Sequence, residues 1–282
     1  MENQHIQLKA ERSISAIISD SFKFARSNFE ALKSLFIKGL LIPFIILILL
    51  SGIQAAYTPI NFSPDPDITP FGLTYFLIMV ASVVYMVLMV GIVLNFVKAY
   101  ANNTREIDQP TVIIQGRNVA LSLLGYVVVM VILVALGMIL LILPGIFIYV
   151  PLIVGYVALV MENKSIKAAI SRGFQLVKGE WWVTFGTLLG VSIVFGIISF
   201  AFQLPVFVYG MLRGFGVAEE VSASAGGVDI VAAVLTMVSA ALTYLLYIVF
   251  IIALALIYFD LDEKKGSTGL LEQIKHLGKE EI

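Results

Sequence analysis

Long apolar runs alternate with short polar stretches along most of this chain. The runs fall at about 35–56, 71–97, 119–142, 145–161, 181–204 and 228–259. Crossing a hydrocarbon core takes about 20 helical residues, each rising about 1.5 Å. Each run therefore predicts one membrane-spanning helix, the fourth being short. Residues 119–161 carry no formal charge, and Leu143-Pro144-Gly145 falls where a tight turn would divide two spans. A single long span with a re-entrant piece is the alternative for that stretch. The sixth run is longer than a bilayer needs and predicts tilt, a kink or a protruding end. Pro43, Pro151 and Pro205 predict kinks or helix ends.

Two polar-apolar stretches precede spans and show a different period. Ile14, Ile18, Phe22, Ala25 and Phe29 recur at helical spacing, as do Ile166, Ile170, Phe174, Val177 and Trp181. Lys23, Arg26 and Glu30 lie opposite the first stripe, Lys167 and Lys178 opposite the second. This predicts amphipathic helices at 12–33 and 164–180, lying on a membrane surface. The two stretches align without gaps at an offset of 152, with Ser13/Ser165, Ile14/Ile166, Ala16/Ala168, Ile18/Ile170, Ser19/Ser171 and Phe22/Phe174 identical. Chance likeness between two amphipathic helices is the alternative to an internal repeat.

Composition agrees with the pattern. Of 282 residues 60% are hydrophobic and 13% charged, and the mean hydropathy is +0.99. A soluble domain is nearer half apolar and a quarter charged, so lipid must solvate much of this surface. Of the 18 Lys and Arg residues, only Arg213 falls in a predicted outer link when the N-terminus is placed inside. That asymmetry predicts six spans with both termini cytoplasmic. The outer links are a proline-rich segment (Pro59, Pro64, Pro66, Pro70), the Pro144-Gly145 turn, and a stretch from about Pro205 to Asp229. No secretory leader is read in the polar first 34 residues.

Candidate chemistry is sparse. The chain has no Cys and two His, His5 and His276, which disfavours thiolate or histidine metal sites and acid–base work. No ionisable residue falls at mid-span, and Lys38, Lys98, Glu162 and Asp260 lie at span ends. Gln54, Asn95 and Gln203 are the buried polar candidates. Phosphate-binding loops and serine elbows are missing. Gly186 and Gly190 form a small-residue packing motif. The best candidates are Lys98, Arg117, Arg172 and Lys178, clustered at headgroup level with Trp181 and Trp182. They would contact anionic lipid headgroups or a partner, with Asp260 pairing one of the cations. The bland alternative is that these charges only set topology.

Four passages carry a family likeness. They are Asp20 to Phe29, Leu143 to Ile148, Ile166 to Trp182 (through Ala168-Ala169-Ile170-Ser171-Arg172-Gly173 and Lys178-Gly179-Glu180-Trp181-Trp182), and Leu256-Ile257-Tyr258-Phe259-Asp260-Leu261. In order and spacing the chain resembles the prokaryotic multi-pass membrane-domain family named after glycerophosphoryl diester phosphodiesterases. The resemblance implies a six-helix membrane domain and no activity. In the proteins that name the family, catalysis belongs to a separate metal-binding TIM barrel that this chain could not supply.

The sequence thus predicts an all-α integral membrane protein, one membrane domain over 1–282, with six spans, two interfacial helices and a cytoplasmic tail at 260–282. It is expected in a prokaryotic inner membrane, without cofactor or metal and not as an enzyme. Lipid or amphiphile handling, or scaffolding, is the leading expectation. A transporter or channel for a small solute, and a membrane subunit of a phosphodiesterase on another chain, are the rivals. Expected partners are membrane lipids, with a homo-oligomer or a cytoplasmic protein as open alternatives and no nucleic acid.

Overall fold

A computed structural model of the chain describes residues 7–57, 68–102, 107–215 and 229–266. Every regular element among them is helical: α1 (Ile14–Ser27), α2 (Phe29–Leu35), α3 (Leu41–Tyr57), α4 (Ile68–Ala101), α5 (Gln109–Leu140), α6 (Ile142–Met161), α7 (Ile166–Val177), α8 (Trp181–Gly214) and α9 (Ile230–Gly266). A π-helical turn, Phe36–Leu40, joins α2 to α3. Six helical segments are long and apolar enough to cross a membrane: Phe29–Tyr57, Gly72–Ala101, Gln109–Ile139, Ile142–Met161, Trp181–Gly214 and Ile230–Gly266. Large apolar side chains such as Leu121 and Ile139 stand about four-fifths exposed (79% and 81%). Lipid is the solvent that tolerates such a surface. The chain is a multi-pass membrane protein.

Several boundaries differ from the sequence reading. α5 begins ten residues before its apolar run, because Asp108 caps it, accepting from the Thr111 amide at 3.2 Å, and Pro110 sits in its first turn. The break between α5 and α6 is Leu141 alone, extended at φ −166°, ψ 148°. Pro144 and Gly145 lie inside the first turns of α6 and do not form the link. α8 continues through Pro205 to Gly214, so the predicted link from Pro205 is helical at its start. The proline-rich link at 58–67, the segment 216–228 and the tail from 267 lie outside the described residues.

The chain divides into two compact units. The first is Met1–Lys38, Val87–Ile193 and Ile248–Ile282. Its α5–α6 pair closes through glycines: a Cβ on Gly137 would stand 2.8 Å from Gly145 Cα. α7 runs back along α6, and a Cβ on Gly173 would strike the carbonyl oxygen of Pro151 and lie 2.7 Å from Gly155 N. Both neighbours are backbone and cannot swing aside. Gly173→Ala is therefore expected to destabilise by about 1–3 kcal/mol, read as a lower unfolding temperature in detergent.

Ser13 caps α1 and Ser165 occupies the N-cap of α7. The buried faces fall in the same register, Ile17, Ser21 and Phe24 against Ala169, Gly173 and Leu176. These faces meet protein. Phe24 packs edge-on to Phe96 and Tyr100, with centroids 6.0 and 4.8 Å away. Ile14 and Phe174 of the predicted stripes stay about two-fifths exposed. Gly190 packs beneath Ile14, whereas Gly186 faces open space.

The second unit is Gly39–Met86 and Val194–Tyr247. Tyr85 is fully buried there between Phe44 and Tyr244, with centroids 5.7 and 5.4 Å away. Gly52 lets Met237 approach, since a Cβ would fall 2.7 Å from its Cγ.

Candidate functional site

Charged residues of the first unit form two groups, one on the α6–α7 turn and both reaching the end of α9. Arg172 donates through Nε to Glu162 Oε1 at 2.7 Å and through Nη2 to Asp262 Oδ1 at 2.6 Å. Tyr258 donates its hydroxyl to the same Glu162 oxygen at 2.8 Å, and Lys164 pairs with Oε2 at 2.8 Å. Burial alone would raise the Glu162 carboxyl. Hydrogen bonds from Arg172, Lys164 and Tyr258, with the charge of Arg172, outweigh it and hold the carboxyl below the usual range. Burial likewise opposes the Arg172 charge, and Glu162 and Asp262 reverse the effect, raising its pKa.

The second group centres on Asp260. Oδ1 accepts from the Arg12 amide at 2.7 Å, and Oδ2 pairs with Lys264 at 2.8 Å. Arg12 itself donates Nε to Asp20 at 3.1 Å. None of the four cations named from sequence pairs with Asp260. Arg172 meets Asp262, two residues on. The sequence reading missed Glu162, Asp262 and Arg12 as network members, because residues far apart in the chain carry no shared local signal.

Trp181 is held by an exposed backbone group. Pro151 has no N–H for the Phe147 carbonyl four residues earlier. The Trp181 indole Nε1 donates to that carbonyl at 3.0 Å, while its ring stacks on Phe147 and Phe185 at 5.1 and 5.2 Å. Trp182 stands 77% exposed. Arg117 and Lys178 are exposed, and the Lys178 carbonyl accepts from Lys265 Nζ at 2.6 Å. Gly179 turns the chain at φ +85°, a conformation that favours glycine.

Lys98 lies elsewhere, on the wall of a polar cleft between the end of α4 and the start of α5. Its Nζ donates to the Val160 carbonyl in the last turn of α6 at 2.9 Å. The cleft holds about 660 Å³. Helices α4 and α5 converge below it, where a Cβ on Gly116 would sit 2.7 Å from Ile92 N. Thus the named residues form no single cluster: Trp181 and Trp182 go together, and Lys98, Arg172 and Asp260 each serve a different set. Among the described residues no group of three or more His, Asp or Glu could hold a metal ion.

A further polar group closes the second unit. Asp229, 1% exposed, caps α9 through the Ala232 amide at 2.8 Å. It also accepts from Arg213 Nη1 at 2.6 Å and from the Tyr209 hydroxyl at 2.9 Å. No protein-family model, curated protein or solved structure matches the chain.

Proposed function

We propose that this chain is a non-enzymatic membrane protein of a prokaryotic inner membrane, both termini cytoplasmic, that holds anionic lipids or other amphiphiles along a basic rim. The observation behind this reading is that exposed Lys178 and exposed Trp182 flank the Gly179 turn between α7 and α8, four residues apart in the chain. A cation for the phosphate and an indole for the headgroup layer are what an anionic bilayer rewards. Exposed Lys23, Arg26 and Lys167, beside Ile14 and Phe174, extend the same chemistry along α1 and α7. The serine at each N-cap position and the matching buried registers of these helices support an internal repeat. The family resemblance supports the inner-membrane placement and the lack of an activity of its own.

The test replaces Lys178 and Arg117 with glutamine and measures competition between phosphatidylglycerol and phosphatidylcholine by native mass spectrometry. Each lost charge is expected to weaken the preference by about 1 kcal/mol, about fivefold. An unchanged preference refutes the lipid reading. The polar cleft beside Lys98 favours a second reading, passage of a small solute, for which liposome flux is the assay. Service to a phosphodiesterase on another chain rests on the resemblance alone.

A further inference from the structure

Thr111, Gln115, Asn118 and Ser122 recur at i, i+4, i+7 and i+11 on α5, one continuous face of about 16 Å. Asn95, Lys98 and Asn102 form a matching stripe on α4, and both stripes line the cleft. The helices themselves are apolar enough to cross a membrane. Polar side chains on such helices are costly in lipid and belong where they meet water, one another or a ligand. Here they largely do not meet one another. The side chains of Gln115, Asn118 and Ser122 make no hydrogen bond to another described residue.

Asn95 is the sharpest case. It is 5% exposed, lines the cleft and uses only Nδ2, which donates to the Gly91 carbonyl at 2.7 Å. Its Oδ1 is left for an occupant. The charges in the cleft are equally unbalanced. Lys164 pairs with Glu162, and Asp108, an anion at the cleft's edge, is held by the Thr111 amide and hydroxyl at the start of α5. Lys98 has no carboxylate within ion-pair distance among the described residues, only the Val160 carbonyl, and two of its N–H bonds remain.

We propose that this cleft is a binding site for a singly charged oxyanion carried on a small hydrogen-bonding group. The anion sits on Lys98, and Asn95, Gln115, Asn118 and Ser122 take the neutral remainder through amides and a hydroxyl. Lys98, which has no ion-pair partner among the described residues, offers one oxyanion a place. Four uncharged groups that donate and accept match hydroxyls or amides better than a second anion. The volume fits a ligand of this size. A phospholipid headgroup and a free solute both have this chemistry. The site is separate from the Lys178 rim and stands or falls independently of it.

The full chain is placed in nanodiscs of phosphatidylcholine. In one arm phosphatidylglycerol is added to the bilayer, and retained lipid is read by native mass spectrometry. In the other arm the deacylated headgroup, glycerophosphoglycerol, is added to the buffer, and the unfolding temperature is followed. Binding in either arm is expected to fall about tenfold in Lys98→Met, about 1.4 kcal/mol, and to be kept in Lys98→Arg. Lys98→Met also loses a helix-end contact, so Asn118→Leu, which removes no side-chain hydrogen bond to another described residue, serves as the second variant and should also weaken binding. Retention only of the lipid assigns a headgroup, and a shift with the soluble probe assigns a solute. No binding in either arm overturns the proposal. So does binding that survives both Lys98→Met and Asn118→Leu, or binding that depends on Lys178 and Arg117 instead.

Discussion

Asp229→Ala is expected to lower the stability of the purified protein by about 3–5 kcal/mol. The carboxylate is 1% exposed and accepts from three donors, Arg213, the Tyr209 hydroxyl shared between both oxygens, and the Ala232 amide. Its own amide donates to the Ala56 carbonyl at 2.9 Å, tying the start of α9 to the end of α3. Alanine leaves the Arg213 guanidinium, 17% exposed, without its partner and removes the cap of α9. The check is thermal unfolding in detergent. Asp229→Ala combined with Arg213→Met should recover part of the loss, because the stranded charge goes with it. Additive losses in that double variant would mean the ion pair is not what holds this corner.

Arg172→Met is expected to cost about 2–4 kcal/mol at neutral pH, a discounted figure because the group is partly exposed. It leaves Glu162 and Asp262 facing each other, with only Lys164 and the Tyr258 hydroxyl beside Glu162. The variant should also weaken the acid response. In the native chain the Glu162 carboxyl is depressed. Its contribution is present above the unfolded value of about 4.3 and is lost as pH falls through the lower folded value. Without Arg172 the carboxyl loses that hydrogen bond and that charge and is less depressed, so the variant should lose less stability in acid than the native chain. Unfolding temperatures between neutral and acid pH compare the two chains. Parallel curves would sink the assignment of Arg172 as the hub.

Much of the bundle was legible because hydropathy and length are local properties. The sequence located all six spans, and Ser13 and Ser165, at the N-cap positions, open α1 and α7 where the aligned registers begin. The start of α5 was missed because its first ten residues mix Val112, Ile113 and Ile114 with polar side chains and so lower the local hydropathy. Their face turns to a cleft that α4 supplies, and hydropathy averages over faces. The i, i+4, i+7, i+11 stripe was present in the sequence as the signal that could have found it. Pro144-Gly145 misled for a related reason. Proline fits the first turn of a helix, and Gly145 is needed for the approach of Gly137 rather than for a turn. The partners of Arg172 and Asp260 were not legible, since they depend on which helix ends the fold gathers together.

The one-residue link at Leu141 bears on how the protein is made. A ribosome delivers α5 before α6, and a free α5 would present the notch at Gly137 and the hydroxyl of Tyr126 to lipid without partners. Tyr126 finds its acceptor only at Leu152, and Gly137 its neighbour only at Gly145. With so short a joint, the two segments have no stable half-built stage to occupy. They must leave the insertion machinery as a folded pair, α6 drawn in by the helix ahead of it.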